Sequence, residues 1–243
     1  MALPEYYSRL SPFRGCFSTG FPILCYHKIA VPPPHARIKG LYLEPSLFRQ
    51  QIQELAAEGF SFVSPEERHQ SKAIAITFDD GFLNNLEAAL PVMKEAGCRA
   101  INFLVADRIG KRSDWEEREG GEADSLMDEA QVREWLAAGN WIGAHTCTHP
   151  RLSQLSRAQA KEEIQASKKK LEDQFGLRIE HFAYPFGDYN QETIELVQDA
   201  GFRTASTMHR GINRTGNSLL ELARWTARYE SRTLRNLFRS LFG

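Results

Sequence analysis

The sequence predicts an α/β fold in which helices alternate with the strands of a parallel sheet. One local pattern recurs five times: an amphipathic, helix-like run ends at a glycine, and a short apolar, strand-like run follows it. The glycines are Gly59, Gly97, Gly139, Gly176 and Gly201. Glycine adopts the left-handed conformation just past a helix end without a steric penalty, which explains its place in the pattern. Strands that alternate with helices are typical of βαβ units and therefore of a parallel sheet.

The second observation is the run AIAITF over residues 73–78, which is apolar at all positions but one. A strand that is covered by helices on both faces of a parallel sheet has this composition. Units of this kind build either a (β/α) barrel or an open doubly wound sheet, and the pattern is compatible with both. A length of 243 residues suits one barrel, so we expect a single domain over residues 1–243.

The predicted elements follow in the order that such a fold requires. Ser46 is placed to cap a first helix, whose apolar face includes Phe48 and Ile52. Ser156 and Gln159 form a capping-box signature at the start of a long helix. The strand-like runs after the five glycines occupy residues 60–63, 100–105, 141–144, 179–184 and 202–205.

Two segments interrupt the alternation. Residues 28–42 contain three consecutive prolines, and proline cannot donate a backbone hydrogen bond, so we expect a loop that does not pair as a strand. Residues 107–125 are charged and contain glycine, with Trp115 isolated among them. We expect this second segment to be a surface excursion.

Charge and hydropathy exclude several classes of function. The 30 basic and 31 acidic residues leave a net charge of -1, so no overall field attracts nucleic acid or an anionic membrane. The first 21 residues contain no continuous apolar run of signal-peptide length, and no later stretch is long enough to cross a bilayer. These features predict a cytoplasmic protein.

The C-terminal segment is the one candidate for membrane contact. Residues 232–242 combine apolar side chains with three arginines at helical spacing, as a short basic amphipathic helix would. Such a helix could touch a membrane that holds a lipid-linked sugar. The favoured interpretation is that it packs against the barrel.

Polar residues follow three of the predicted strands. Asp79 and Asp80 end the first of them, His145 and His149 follow the second, and residues 183–187 follow the third. The carboxyl ends of parallel strands are where α/β folds build their sites, because loops from several units converge there. We therefore expect these residues to share one site.

These residue types favour a metal centre. Two adjacent aspartates repel each other when buried, so a cation or a shared proton is expected between them, although Asp-Asp-Gly is also ordinary turn chemistry. His145 and His149 can converge on one ion if their segment forms a turn. Imidazole suits Zn²⁺, Co²⁺ or Ni²⁺, and a carboxylate completes such a site while leaving positions open for water.

Three motifs together resemble one known family. Residues 77–81 (TFDDG) and 145–149 (HTCTH) are similar to the first two motifs of the polysaccharide deacetylases, which are carbohydrate esterase family four, with the NodB homology domain. Residues 182–187 (FAYPFG) are similar to the third. The resemblance implies a distorted (β/α) barrel of about seven parallel strands. It also implies a hydrolase that removes an N-acyl group, in particular acetyl, from an amino sugar.

The resemblance also implies roles for individual residues. Asp79 corresponds to the catalytic base, and the metal ligands correspond to Asp80, His145 and His149. The ion, with Zn²⁺ as the expected metal and Co²⁺ or Ni²⁺ as alternatives, acidifies a water whose proton passes to the base. The oxyanion and substrate side of the site corresponds to Phe186, through its backbone N–H, and to Tyr184 and Arg224.

Two departures from the family pattern matter. Ala183 stands where the family usually has an arginine that orients the base, and Arg224 is the predicted replacement. The family's late histidine acid is also absent. The branch that resembles the poly-N-acetylglucosamine deacetylases takes its acid from an early Tyr-His pair after an apolar strand, so we predict His27 as the acid, with His209 as the alternative.

A non-enzymatic hypothesis is a carbohydrate-binding relic that keeps the fold and has lost turnover. The altered third motif favours it. Both aspartates and both histidines argue against it, because a binding module does not need a base beside a metal.

Overall fold

The structure, a computed structural model, describes residues 17, 19–34, 36–118 and 120–226. The strands in this part of the chain are β1 (Ile23–Tyr26), β2 (Lys28–Ile29), β3 (Tyr42–Leu43), β4 (Ser61–Phe62), β5 (Ala73–Phe78), β6 (Ala100–Leu104), β7 (Trp141–Ala144), β8 (His181–Ala183), β9 (Thr204–Ser206) and β10 (Trp225–Thr226). The α-helices are α1 (Pro45–Ala57), α2 (Leu90–Glu95), α3 (Asp114–Arg118), α4 (Glu129–Ala137), α5 (Arg157–Phe175) and α6 (Gln191–Asp199).

Seven of these strands form one parallel sheet in the order β10-β1-β5-β6-β7-β8-β9, and β4 pairs with the beginning of β5 outside this path. From β1 to β9 the spatial order follows the chain order, whereas a doubly wound sheet reverses its order at a switch point. β10 returns beside β1, and a parallel bridge between Ser206 and Leu222 ties the segment before β10 to β9. The sheet is thus a half-barrel surrounded by helices, which confirms the predicted distorted barrel of about seven strands.

The strand side chains divide between the two faces of this sheet. Inner-face residues such as Ile23, Ala75 and Phe103 belong to two small apolar clusters. The alternate residues of the same strands pack with the helices in the main core, as Phe78 does against Trp135 of α4. Because side chains alternate along a strand, the strand also determines on which face the residue directly after it lies.

The helix boundaries confirm most of the predicted pattern and correct one cap. All five glycines after the helix-like runs have positive φ, between 61° and 84°. Ser156 and Gln159 form the predicted capping box of α5. The predicted cap at Ser46 is wrong, because α1 begins at Pro45 and already includes Ser46. Glu44 is in the cap position, and its side chain makes no capping hydrogen bond. Proline suits the first helical position because its fixed φ is already helical.

The segment 28–42 differs from its prediction at both ends. Lys28 pairs with Tyr42 and Ile29 with Leu43, so β2 and β3 form a short parallel pair. The three prolines lie between these strands, where no ladder hydrogen bond is needed. The prediction that the segment does not pair is therefore wrong for its ends, because proline constrains only its own position and the residue before it.

The segment 107–125 lies at the surface, as predicted, but buried side chains anchor it to the body of the protein. Trp115 and Glu116 on α3 are only 4% and 5% exposed. Trp115 packs with Phe82, Val105 and Leu126 in an apolar cluster of its own. The prediction is confirmed for the exposed charged residues but missed the anchor, because a single large aromatic side chain is enough to hold a polar segment.

Several predictions concern residues outside the described part of the chain. These are the absence of a signal-peptide run in the first residues and the amphipathic C-terminal segment over residues 232–242. The single domain over residues 1–243 likewise stays a prediction. Within the described ranges, no helix combines the length and the apolar character that a bilayer crossing needs.

Candidate active site

A cavity of about 370 Å³ opens at the carboxyl ends of the strands. Strands β1, β5, β7 and β8 each contribute residues that follow their last position, as expected for a parallel sheet. The predicted site residues in its wall are His27, Asp79, Asp80, His145, His149 and Phe186. The structure therefore brings together six residues that the sequence scatters over 160 positions (27 to 186).

Asp79 lies on the inner side of the sheet and is held from behind by Arg224. Nη1 and Nη2 of Arg224 donate to the two carboxylate oxygens of Asp79, each over 2.7 Å. The same guanidinium donates through Nε to the carbonyl of Thr207, over 2.8 Å, and through Nη1 to Thr77 Oγ1, over 3.2 Å. A bidentate pair of this kind fixes the orientation of a carboxylate. Arg224 is thus placed where the missing arginine of the third motif was expected to act.

The electrostatic surroundings keep Asp79 ionised. Burial on its own would raise the pKa of this carboxyl, because a charge is costly away from water. The charge and the hydrogen bonds of Arg224 outweigh burial and hold the pKa at about 2. Cys25 Sγ lies 3.5 Å from Asp79 Oδ2, and burial raises the pKa of this thiol so that it stays protonated and donates. Asp79 is therefore an oriented, charged carboxylate.

Asp80 points toward a different set of partners. Its φ of 76° ends the strand geometry and turns the carboxylate toward the two predicted histidine ligands. Oδ1 of Asp80 lies 3.5 Å from His145 Nε2 and 3.2 Å from His149 Nε2. All three side chains are buried.

This trio fits a metal ion. One ligand atom from each residue lies within 4.8 Å of the others. Oδ1 of Asp80 is buried without a hydrogen-bond donor among the described residues, an arrangement that is costly unless a cation is present. His145 Nδ1 is 2.7 Å from the carbonyl of Ala183, which can only accept, so Nε2 carries the lone pair. Burial lowers the pKa of His149 and so favours the neutral imidazole that binds metals.

A second trio, Cys25, His27 and Asp79, also brings ligand atoms within 4.8 Å of one another. Both oxygens of Asp79 are already engaged by the Arg224 guanidinium, whose positive charge opposes a second cation. Of the two trios, Asp80, His145 and His149 therefore fit an ion better.

The two candidate acids occupy different places. His27 follows β1, lines the cavity, and has Nε2 3.8 Å from Asp79 Oδ2. His209 is exposed and packs edge-on against Tyr189, outside the cavity wall. The geometry thus supports His27 over the alternative.

The third motif contributes one wall residue and one core residue. Phe186 has a φ of 59°, is 37% exposed, and packs edge-on against His149 at 4.5 Å between ring centroids. Gly187 is required beside it, because a Cβ there would lie 2.5 Å from Met208 Cβ. Tyr184 does not line the cavity. Its hydroxyl donates to the carbonyl of Leu220, over 3.0 Å, and its ring packs against Phe182.

The position of Tyr184 corrects the prediction that its side chain reaches the substrate. Phe182 and Tyr184 are two residues apart and therefore share the helix-facing side of the sheet, whereas Ala183 belongs to the inner cluster. The alternation rule, applied to residues 182–184, could have found this.

Six residues of the cavity wall were not among the predicted site residues, and Trp115 and Glu116 are two of them. The Trp115 ring stacks on His149 at 4.5 Å between centroids. Glu116 accepts from the buried ammonium of Lys28 over 2.7 and 2.9 Å, a contact between residues 88 positions apart. No local pattern announces such a pair. The isolated tryptophan in a charged segment was the available signal.

The comparisons with known proteins agree with this geometry. Residues 66–205 match the polysaccharide deacetylase family. The Bacillus subtilis protein YxkH, whose name assigns it provisionally to the polysaccharide deacetylases, is 28% identical over 199 residues, which cover 78% of this chain and 65% of that protein. The Staphylococcus aureus poly-β-1,6-N-acetyl-D-glucosamine N-deacetylase is 22% identical over 184 residues, which cover 68% of this chain and 61% of the enzyme. The chain thus spans less than two thirds of the length of both relatives.

A solved structure is similar over nearly the whole chain. The Streptococcus pyogenes deacetylase PplD, in complex with acetate, superposes with a TM-score of 0.75 at 29% identity. The similarity covers 92% of this chain and 99% of PplD.

Proposed function

The chain belongs to the polysaccharide deacetylase family, and from this premise we propose that it is a metal-dependent hydrolase that removes an N-acyl group from an amino sugar. Acetyl is the proposed acyl group. The observation that carries the proposal is the pairing, in one cavity, of an arginine-held carboxylate with a separate Asp-His-His trio. An enzyme that cleaves an amide with water needs both a proton acceptor and an electrophile, and the two sets offer one of each.

Asp80, His145 and His149 would hold the ion. Two imidazoles and one carboxylate favour Zn²⁺, with Co²⁺ and Ni²⁺ as alternatives. When bound, such an ion polarises the acyl carbonyl and acidifies water, so that even a weakly basic carboxylate can serve as proton acceptor.

Asp79 is the proposed base. Its low pKa makes it a weaker base than an unpaired carboxylate, but Arg224 fixes its direction toward the cavity and removes the entropy cost of orienting it. His27, on the same side of the cavity, is the proposed acid. An amine leaves an amide only with a proton, and imidazole can hold and release one near neutral pH.

Phe186 is proposed to act through its backbone. Its left-handed φ of 59° is uncommon for an aromatic residue and costs about 1–3 kcal/mol, a strain that occurs mainly at functional sites. The conformation sets the direction of the peptide N–H groups beside the cavity, where one could stabilise a developing oxyanion. Tyr184 acts only as packing in this proposal.

The proposed substrate is a glycan that contains N-acetylglucosamine. The named activity of the Staphylococcus aureus relative and the acetate bound to PplD support an N-acetylated sugar. Trp115 and Phe186 provide aromatic walls, and aromatic rings commonly pack against the apolar faces of ligands. The balanced charge offers no support for nucleic acid as a partner.

The test is acetate release from defined N-acetylglucosamine oligomers, with β-1,6 and β-1,4 linkages compared. Metal-free protein, the same protein with added Zn²⁺ or Co²⁺, and a His145→Ala variant provide the matched samples. We expect acetate and free amine in equal amounts, only in the metal-supplemented wild type. Oligomer binding without acetate release in any sample would support the carbohydrate-binding relic instead.

A further inference from the structure

Glu163, on the long helix α5, contacts the loop that carries both predicted histidine ligands. Its Oε2 accepts from the backbone N–H groups of Cys147 and Thr148, over 2.8 and 2.9 Å. Its Oε1 accepts from Thr148 Oγ1, over 2.6 Å. One carboxylate thus binds three donors in the middle of the segment between His145 and His149.

This loop needs an external restraint. Thr146 has a φ of 66°, in a region that β-branched residues rarely adopt, and His149 also has a positive φ, of 62°. Within the loop, Thr146 Oγ1 accepts from the N–H of His149, over 3.0 Å. Strained conformations of this kind persist only where the surroundings over-determine them. Glu163 supplies three hydrogen bonds from outside the loop.

The helix that carries Glu163 is a firm support. α5 runs over 19 residues, begins with a capping box and ends at a left-handed glycine. Ala160 and Ile164, on either side of Glu163 in the sequence, are buried in the main core. Glu163 is therefore a firmly held side-chain contact to the loop, which adds to the backbone hydrogen bonds that Ala106 and Asp107 donate to the carbonyls of Thr146 and Cys147, each over 3.0 Å.

We propose that Glu163 is a positioning residue for the metal centre, which holds the 145–149 loop so that both imidazoles face Asp80. The inference rests on the proposed function, because it presumes that this trio binds an ion. Groups that orient metal ligands from outside the coordination sphere commonly change metal affinity by about 10–100-fold when they are removed.

The experiment is a calorimetric titration of Zn²⁺ into metal-free protein, for the wild type and two substitutions at one position. Glu163→Ala leaves two backbone N–H groups without their acceptor, so we expect the affinity to fall by about tenfold or more. Glu163→Gln keeps an oxygen for both N–H groups and an amide that can donate to the Thr148 hydroxyl. Its affinity should stay within about threefold of the wild type, as expected when the hydrogen bonds rather than the charge position the loop.

Glu162→Ala is the matched control, because Glu162 is exposed on the same turn of α5. Its affinity should equal that of the wild type. If Glu163→Ala does not fold, Thr148→Val tests the same contact more gently, with an affinity loss smaller than tenfold but measurable. Wild type that takes up no Zn²⁺ would contradict the proposed function itself. Two other outcomes would overturn the inference alone. One is tight Zn²⁺ binding by the wild type that is unchanged in Glu163→Ala or, if that variant does not fold, in Thr148→Val. The other is a Glu163→Gln variant that binds Zn²⁺ as weakly as Glu163→Ala.

Discussion

Asp79 and Asp80 are adjacent in sequence but lie in opposite electrostatic surroundings. Asp79 continues the inner face of β5, and both of its oxygens are bound by one guanidinium. Asp80 has a positive φ and leaves Oδ1 facing two imidazoles without a hydrogen-bond donor. Both oxygens of Asp79 therefore have hydrogen-bond donors, whereas Asp80 Oδ1 has none among the described residues. The difference supports the proposed division of roles, in which Asp79 exchanges a proton and Asp80 binds a cation.

The first way to test this division is Asp79→Asn, for which we expect the largest effect on the rate of acetate release. An amide keeps the shape and can still accept from Arg224, but it cannot take up a proton. The rate of acetate release should fall by about 10² or more, the usual scale for a general base. Rates measured at saturating Zn²⁺ separate this loss from any change in metal occupancy. A variant that keeps near-wild-type turnover would remove Asp79 from the chemistry.

The second test concerns Arg224, which donates to both carboxylate oxygens of Asp79. Arg224→Met leaves a buried carboxylate without its counter-charge, and breaking a buried ion pair in this way costs about 3–5 kcal/mol of unfolding free energy. Arg203→Met is the control, because the exposed pairs of Arg203 with Glu66 and Glu180 contribute about 1 kcal/mol at most. Chemical denaturation of the metal-free proteins measures both. Equal losses in the two variants would contradict the special burial of the Asp79 pair.

The difference in unfolding free energy between the wild type and Arg224→Met should become smaller at acidic pH. In the wild type the pKa of Asp79 is lowered to about 2, so its contribution to stability is present above about pH 4 and is lost as the pH falls through 2. In the variant, burial alone raises the pKa of this carboxyl, so it takes up a proton at higher pH and the unpaired charge disappears. The difference in unfolding free energy should therefore shrink from pH 7 to pH 5.

The smallest of the expected effects concerns His27, which shares the Asp79 side of the cavity. His27→Ala should slow hydrolysis of an N-acetyl sugar by about 10²-fold, at the low end for a general acid. An acetyl ester with a good leaving group does not need that proton and should be affected much less. His209→Ala should change neither rate, because His209 lies outside the cavity wall. The same loss for both substrates in His27→Ala would indicate a role in folding or binding instead.

The sequence predicts the barrel and the Asp-His-His trio because both depend on local patterns. The strand ends follow from the glycine and apolar periodicity, and Asp80, His145 and His149 come after the ends of two of those strands, β5 and β7. Arg224 was found by a chemical argument, since an oriented base needs a cation and Ala183 cannot provide one.

What the sequence could not predict depends on distant contacts. Lys28 and Glu116 are 88 positions apart, and their ion pair holds α3 beside the cavity, where Trp115 lies in the wall. Glu163 and the histidine loop are joined by hydrogen bonds to backbone groups, which leave no signature in residue types. Tyr184 was assigned to the wrong side because the motif was considered as a unit, whereas strand alternation turns its side chain into the core.

The most direct test of the division between the two aspartates is a Zn²⁺ titration of three metal-free proteins: wild type, Asp79→Asn and Asp80→Asn. The account predicts about one ion per chain in the wild type, as a site of two imidazoles and one carboxylate implies. Asp79→Asn should bind Zn²⁺ with nearly the same affinity, whereas Asp80→Asn should lose about tenfold or more, since it removes a charged ligand. Equal losses in the two variants, or no uptake by the wild type, would contradict the account.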